Sequence, residues 1–91
     1  CTNYVMYYFE VGDSKKAMQI ADIMAKRADE NLKYFTEKSQ RVSAEWMPDN
    51  VQQFIEVSMR NLQILANVCN RNGQTEAAKR YEAIFTKYNR N

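Results

Sequence analysis

The chain has 91 residues, of which 45% are apolar and 26% charged, with a net charge of +2, two Gly, one Pro, two Cys and no His. That balance fits one small collapsed domain and excludes a disordered, collagenous or disulfide-stapled chain. With so few turn residues an all-β sandwich or barrel has no punctuation, so the chain must be mostly helix. The lack of His removes the commonest general base and metal ligand, and with them a Ser-His-Asp triad, a Cys-His dyad and His-ligated zinc or haem.

The longest apolar run, Tyr4 to Phe9, is six residues, far short of the roughly 20 that a membrane span needs. No basic segment followed by an apolar stretch marks a signal peptide. The chain has no initiator Met and is expected to be the C-terminal fragment of a larger protein. Cys1 admits one alternative, the lipid-modified cysteine of a mature bacterial lipoprotein, but a helical pattern starts within three residues where such chains carry a polar tether. Cys69 falls on an apolar stripe and reads as a small buried hydrophobe.

The first element predicted is a short helix over residues 3–11, apolar nearly all round, which stops at Gly12-Asp13. Gly suits the left-handed position beyond a helix end, and Asp13 or Ser14 can cap the next helix. Over residues 14–42 apolar residues recur at Ala17, Ile20, Ala21, Met24, Ala28, Leu32, Phe35 and Val42, the signature of one extended amphipathic helix. Its outer face pairs Asp22/Lys26, Lys26/Glu30, Asp29/Lys33 and Lys33/Glu37 at the i,i+4 spacing of solvated ion pairs.

Pro48 interrupts the pattern, and Asp49 with Gln52 starts a third helix over 49–72. Its stripe is Val51, Phe54, Ile55, Ser58, Leu62, Leu65, Ala66 and Cys69, flanked by Val57, Ile64 and Val68. Apolar positions take up more than half the circumference, so this helix should lie between neighbours. It leaves a polar strip of Gln52, Glu56, Arg60, Gln63, Asn67 and Asn70. Asn72-Gly73 ends it, and a fourth helix over 75–89 follows, with Ala77, Ala78, Tyr81, Ile84, Phe85 and Tyr88 inward and Glu76/Arg80 paired outside. The expected fold is all-α, four helices in two hairpins within a single domain spanning residues 1–91, with an extended second helix.

The two corners repeat one another. Tyr8-Phe9-Glu10-Val11-Gly12-Asp13-Ser14-Lys15-Lys16-Ala17 and Asn70-Arg71-Asn72-Gly73-Gln74-Thr75-Glu76-Ala77-Ala78 each place Gly five residues ahead of an Ala that lets two antiparallel helices approach. This resembles the tetratricopeptide-type helical hairpin. It departs from that pattern in the length of the second helix, in lacking the leading Trp and closing Pro, and in the 61 residues that separate the glycines. Taken with Asn31-Leu32-Lys33-Tyr34-Phe35, Asn61-Leu62-Gln63-Ile64-Leu65 and Gly73-Gln74-Thr75-Glu76-Ala77-Ala78-Lys79, the chain is similar to the C-terminal tail of a family of large bacterial polytopic membrane proteins of unknown function, likened to protein O-mannosyltransferases. The resemblance implies a soluble, noncatalytic helical module tethered to the inner membrane on its extracytoplasmic side. Any glycosyl transfer would then belong to residues upstream of it.

No catalytic residue, cofactor or metal ligand is assigned on this reading. The expected function is a helical-repeat interaction or scaffolding module, with a structural end cap of a longer repeat array, or an accessory domain of a membrane glycosyltransferase, as alternatives. The surface expected to meet a protein partner, either the upstream part of the parent chain or another protein, comprises Tyr4, Tyr7, Gln52, Glu56, Arg60, Gln63 and Asn67; Trp46 is a further exposed aromatic. The segment Tyr4 to Phe9 should also pair isolated fragments into a homodimer. Nucleic acid is not an expected partner, because acidic residues are interspersed with the basic ones and leave no cationic stripe for phosphates. A membrane is expected only through the parent chain, since the long helix alternates in charge sign.

Overall fold

The computed structural model describes residues 2–39 and 49–89, and these form an all-α arrangement of four helices: α1 (Thr2–Glu10), α2 (Ser14–Ser39), α3 (Asp49–Arg71) and α4 (Thr75–Tyr88). Residues 40–42 of the expected second helix, together with Cys1, Trp46 and Pro48, lie outside the described residues.

Both corners are built by the same local physics. Gly12 and Gly73 adopt φ of 83° and 80°, in the region where a Cβ would collide with its own backbone. At the first corner the Asp13 N–H donates to the Tyr8 carbonyl (2.8 Å) and the Gly12 N–H to that of Phe9 (3.2 Å). At the second the Gln74 N–H donates to the Cys69 carbonyl (2.8 Å) and the Gly73 N–H to that of Asn70 (3.3 Å). These are paired Schellman closures, which satisfy the last carbonyls of α1 and α3 as the chain turns. The two differ in how the next helix starts. Asp13 accepts the Lys16 N–H at 3.1 Å as an N-cap, whereas Gln74 makes no side-chain cap.

Beyond its own adjoining backbone, a Cβ added at either glycine would meet no atom within 4 Å, so the cost of substitution is conformational alone. Gly73→Ala should therefore lower stability by about 1 kcal/mol and Gly73→Asn by less, because Asn tolerates the left-handed region better than Ala. Urea denaturation of the two variants checks this, and equal losses would point to a steric cause instead.

Cys69, late in α3, places its thiol 3.8 Å from the Met18 sulfur early in α2. Phe35, late in α2, packs on Phe54, early in α3, at 5.1 Å between ring centres. The two long helices thus run antiparallel, and both glycine corners lie at one end of the molecule. α1 packs on α2 and α3, α4 packs on α3 and α2, and α1 and α4 scarcely touch. The layers therefore do not close into a ring. The molecule measures 46 × 20 × 17 Å with a radius of gyration of 14.2 Å, above the roughly 12 Å of a compact chain this long.

The core follows the stripes read from the sequence. Small residues dominate the inner face of α2, where Ala17, Ala21, Ala25 and Ala28 are buried, and Leu32 continues that face. Leu62, Leu65, Ala66, Val68 and Cys69 of α3, Ala77, Ala78 and Tyr81 of α4, and Val5 of α1 complete the apolar interior. A row of alanines lets backbones approach toward the short end of the usual 8–10 Å spacing.

Three sequence expectations change. Phe54, placed on the core stripe, is 42% exposed, because nine-residue α1 covers only the corner half of the α2–α3 face. α1 is not apolar in one undivided surface: Val5 is buried, Met6, Tyr8 and Phe9 are half-buried, and Tyr4 and Tyr7 face outward. Most of the segment offered as a dimer contact is therefore already engaged within the chain. The charged faces also choose other partners. Asp22 and Asp29 reach across to α4, and Glu76 meets Lys79 at 3.9 Å while Arg80 turns to Asp22.

Candidate functional site

The α2–α4 seam carries two like clusters one heptad apart. Asp22 accepts the Tyr81 hydroxyl hydrogen bond and lies 3.3 Å from the Arg80 guanidinium. Seven residues on, Asp29 accepts the Tyr88 hydroxyl at 2.8 Å and pairs with the Lys87 ammonium at 2.9 Å. Each aspartate is thus held by a basic-Tyr dipeptide at the same offset along the chain. Equal offsets at both points require α2 and α4 to run parallel and in register, as two helices do when packed at about 3.5 residues per turn.

The shifted ionisable groups lie in this seam or, for Cys69 of α3, beside it, and burial and hydrogen bonding explain the shifts. Burial alone would raise the Asp29 carboxyl, but hydrogen bonds from Lys87 and Tyr88 outweigh it and hold the group below the usual carboxylate range. Burial raises the Tyr88 phenol, and its bond to Asp29 adds to the effect. Tyr81 is raised by burial and then by Asp22. The Cys69 thiol is pushed up to about 11, first by burial and then by the nearby Asp22 charge.

A pH dependence follows. Cys69, Tyr81 and Tyr88 hold their protons more tightly in the fold than in the unfolded chain, so their contribution is complete below the unfolded values and is lost as pH rises past them. The ordinary thiol and phenol values are 9.0 and 10.0. Asp29, held below the ordinary carboxylate value of 3.8, acts in the opposite sense and loses its contribution as pH falls through the acid range, so urea midpoints are expected to be level from about pH 5 to about pH 8.5 and to fall on either side. Cys69→Ala should flatten the first part of the alkaline fall, and an unchanged slope would show that the thiol ionises freely in the fold.

The expected contact residues fall into two groups that the fold does not unite. Gln52, Glu56, Arg60, Gln63 and Asn67 are all exposed and share one face of α3. Gln63 and Asn67 reach a shallow groove of about 260 Å³ between α3 and α4, floored by Leu62, Ala66 and Phe85 and edged by Glu82. That groove offers amide and carboxylate hydrogen bonding over an apolar floor. Tyr4 and Tyr7 are 62% and 54% exposed on the outer side of α1, which lies along a different face of α3, where Met6, Phe9 and Glu10 line a cleft with Val68, Arg71 and Asn72.

Sequence reasoning placed Tyr4 and Tyr7 outside but missed the exposure of Val11, Ile23, Tyr34, Phe54 and Val57. These seven are the large exposed apolar side chains among the described residues. All belong to α1, its corner, α2 or the first half of α3, and α4 presents none. Among the described residues no group of three or more His, Cys, Asp or Glu side chains could hold a metal ion, and no helix is long and apolar enough to cross a membrane. Comparison of the chain with family models, curated proteins and solved structures finds no match.

Proposed function

We propose that the chain is a noncatalytic helical-hairpin module that works by docking, with its α1–α2 side toward the partner and its α4 side toward water. The observation that carries this reading is the asymmetry of the surface: apolar rings and branched side chains stand exposed on α1, α2 and early α3, while α4 is polar outside. Terminal units of helical arrays have this division, one face for the neighbouring unit and one solvated face. The two Schellman corners and the unclosed layers support a tetratricopeptide-like arrangement. By the resemblance of its sequence, the module would sit at the C-terminus of a multi-span bacterial membrane protein and face the extracytoplasmic side.

The surface division favours, as a second reading, an end cap that touches only its own parent. A photo-crosslinking residue placed separately at Tyr7, Gln63 and Lys79 distinguishes the readings in cells that make the intact parent. A product joining Tyr7 to another protein supports the docking reading, and a product joining Tyr7 only to the parent supports the end cap. Discrete products from Gln63, beside the α3–α4 groove, would put the partner on the side assigned to water and overturn the docking reading. Equal labelling from Lys79 on α4, or no product at any site, overturns the docking reading.

The isolated chain should also self-associate. Tyr4 and Tyr7 form an aromatic ridge, and exposed aromatic area of this kind is a common association surface. Sedimentation equilibrium is expected to show a monomer–dimer equilibrium at high concentration, and Tyr4→Ser with Tyr7→Ser should weaken it about tenfold. A monomer throughout would show that the ridge does not pair with itself.

A further inference from the structure

The face that receives α1 continues past the point where α1 starts. On α3, Val68 and Arg71 stand across a cleft from Met6 and Phe9 of α1. Counting back by sevens from these gives Asn61 and Phe54, then Ile64 and Val57, the residues that keep the same helix face in packed helices. On α2, the antiparallel hairpin sets α1 along Ala17 and Ala21, and seven residues later the same stripe carries Met24 and Ala28. Met24, Ala28, Phe54, Val57 and Asn61 line a single groove of about 250 Å³, with Arg27 at its edge. Phe54 and Val57 stand 42% and 48% exposed there. Two consecutive lengths of one helix-binding face thus lie on α2 and α3, and among the described residues α1 fills only the first. From Met24 to Phe35 the second length is about 16 Å, or three helical turns.

We infer that the α2–α3 groove beyond the start of α1 binds an amphipathic helix end to end with α1, carrying an apolar ridge and a carboxylate opposite Arg27. The continuity of the α1 packing face carries the direction and register of the occupant, because small and branched residues recur there with α1's own spacing. Arg27 carries the charge preference: it has no carboxylate partner among the described residues and stands at the rim, where an ion pair adds selectivity more than affinity. This rests on the reading of the chain as a docking module, and it names a surface separate from the Tyr4–Tyr7 ridge and from the polar strip.

The test titrates the labelled chain with a lactam-stapled amphipathic peptide of about 14 residues, long enough to hold a helix, bearing one Glu beside a Leu/Ala ridge, while backbone amide shifts are followed by NMR. Shifts confined to Met24–Asn31 and Phe54–Asn61, absent with a scrambled peptide of the same composition, are expected. Val57→Asp, at a half-exposed position that the fold does not need, should weaken binding by at least about tenfold. Arg27→Glu should reverse the preference between the Glu peptide and its Lys counterpart, each by about threefold. Several results would overturn the proposal: no shifts, shifts centred on the α3–α4 groove, or the same shifts produced by concentrating the chain without peptide, which would make a second copy the occupant. Crosslinks from Tyr7 in the parent together with a silent groove would remove this inference and leave the docking reading standing.

Discussion

Tyr81→Ala is expected to cost about 3–5 kcal/mol. Tyr81 is only 2% exposed and leads the fully buried side chains in volume. Its ring fills the space between α4, the alanine face of α2 and α3, and its hydroxyl donates to Asp22. Truncation removes the buried ring, leaves a cavity that helices anchored at a glycine corner cannot fully close, and strips Asp22 of one donor. A 91-residue domain has roughly 5–14 kcal/mol to lose. The melting temperature should therefore drop by about 15–30 °C, and a marginal domain would be partly unfolded at growth temperature. Tyr81→Phe is the control. It keeps the ring and loses only the hydrogen bond to an aspartate that Arg80 and water still reach, so about 1 kcal/mol is expected. Thermal and urea unfolding followed by circular dichroism separate the two. Equal losses would mean that the ring contributes little and that α4 is held by its polar seam.

Ala21→Leu should cost about 3 kcal/mol, at the upper end for added core volume. Leu is nearly as good a helix former as Ala, so the isolated α2 sequence would not register the change. The whole effect comes from neighbours. Ala21 is fully buried in the row Ala17, Ala21, Ala25 and Ala28, and three added carbons must push α1 or α3 outward. Because α1 has nine residues and the other helices are longer, α1 should be displaced first. Hydrogen exchange is expected to quicken in α1 while α3 and α4 keep their protection. Uniform acceleration across all four helices would show that the alanine row supports the bundle as one unit.

The contrast between these two substitutions shows what kind of information each part of the chain carries. The corners were readable because their physics is local. Gly12 and Gly73 lie where the chain needs a positive φ, and the carbonyls they help to satisfy are within five residues. The buried stripes were readable because helical period alone sorts Ala17, Leu32, Leu62, Leu65 and Tyr81 inward. The ion pairs were not. Asp22 and Asp29 each have a lysine four residues on, and within one helix that pairing is the natural expectation. A partner on a parallel helix wins because a Tyr hydroxyl and a cation converge on each carboxylate from one dipeptide. The one sequence signal was spacing: two aspartates seven apart on one helix, and Arg80-Tyr81 and Lys87-Tyr88 seven apart on another.

The polar strip on α3 was legible as a face, since Gln52, Glu56, Arg60, Gln63 and Asn67 recur at helical spacing and all are exposed. That Gln63 and Asn67 alone edge a groove depends on where α4 lies. Phe54 shows the converse. Its period assigns it to the interior, and it stands half in water because the described residues of α1 do not reach it.

Residue order by itself determined the helical class, the number of rods, the two glycine bends and which stripe of each rod avoids water, because φ preference and amphipathic period act over a few neighbouring residues. The tertiary structure decided which rods lie side by side, which aspartate meets which tyrosine, and which part of the long antiparallel pair is left uncovered. Those outcomes depend on the relative lengths and register of helices far apart in the chain, and no local preference encodes a distance between them.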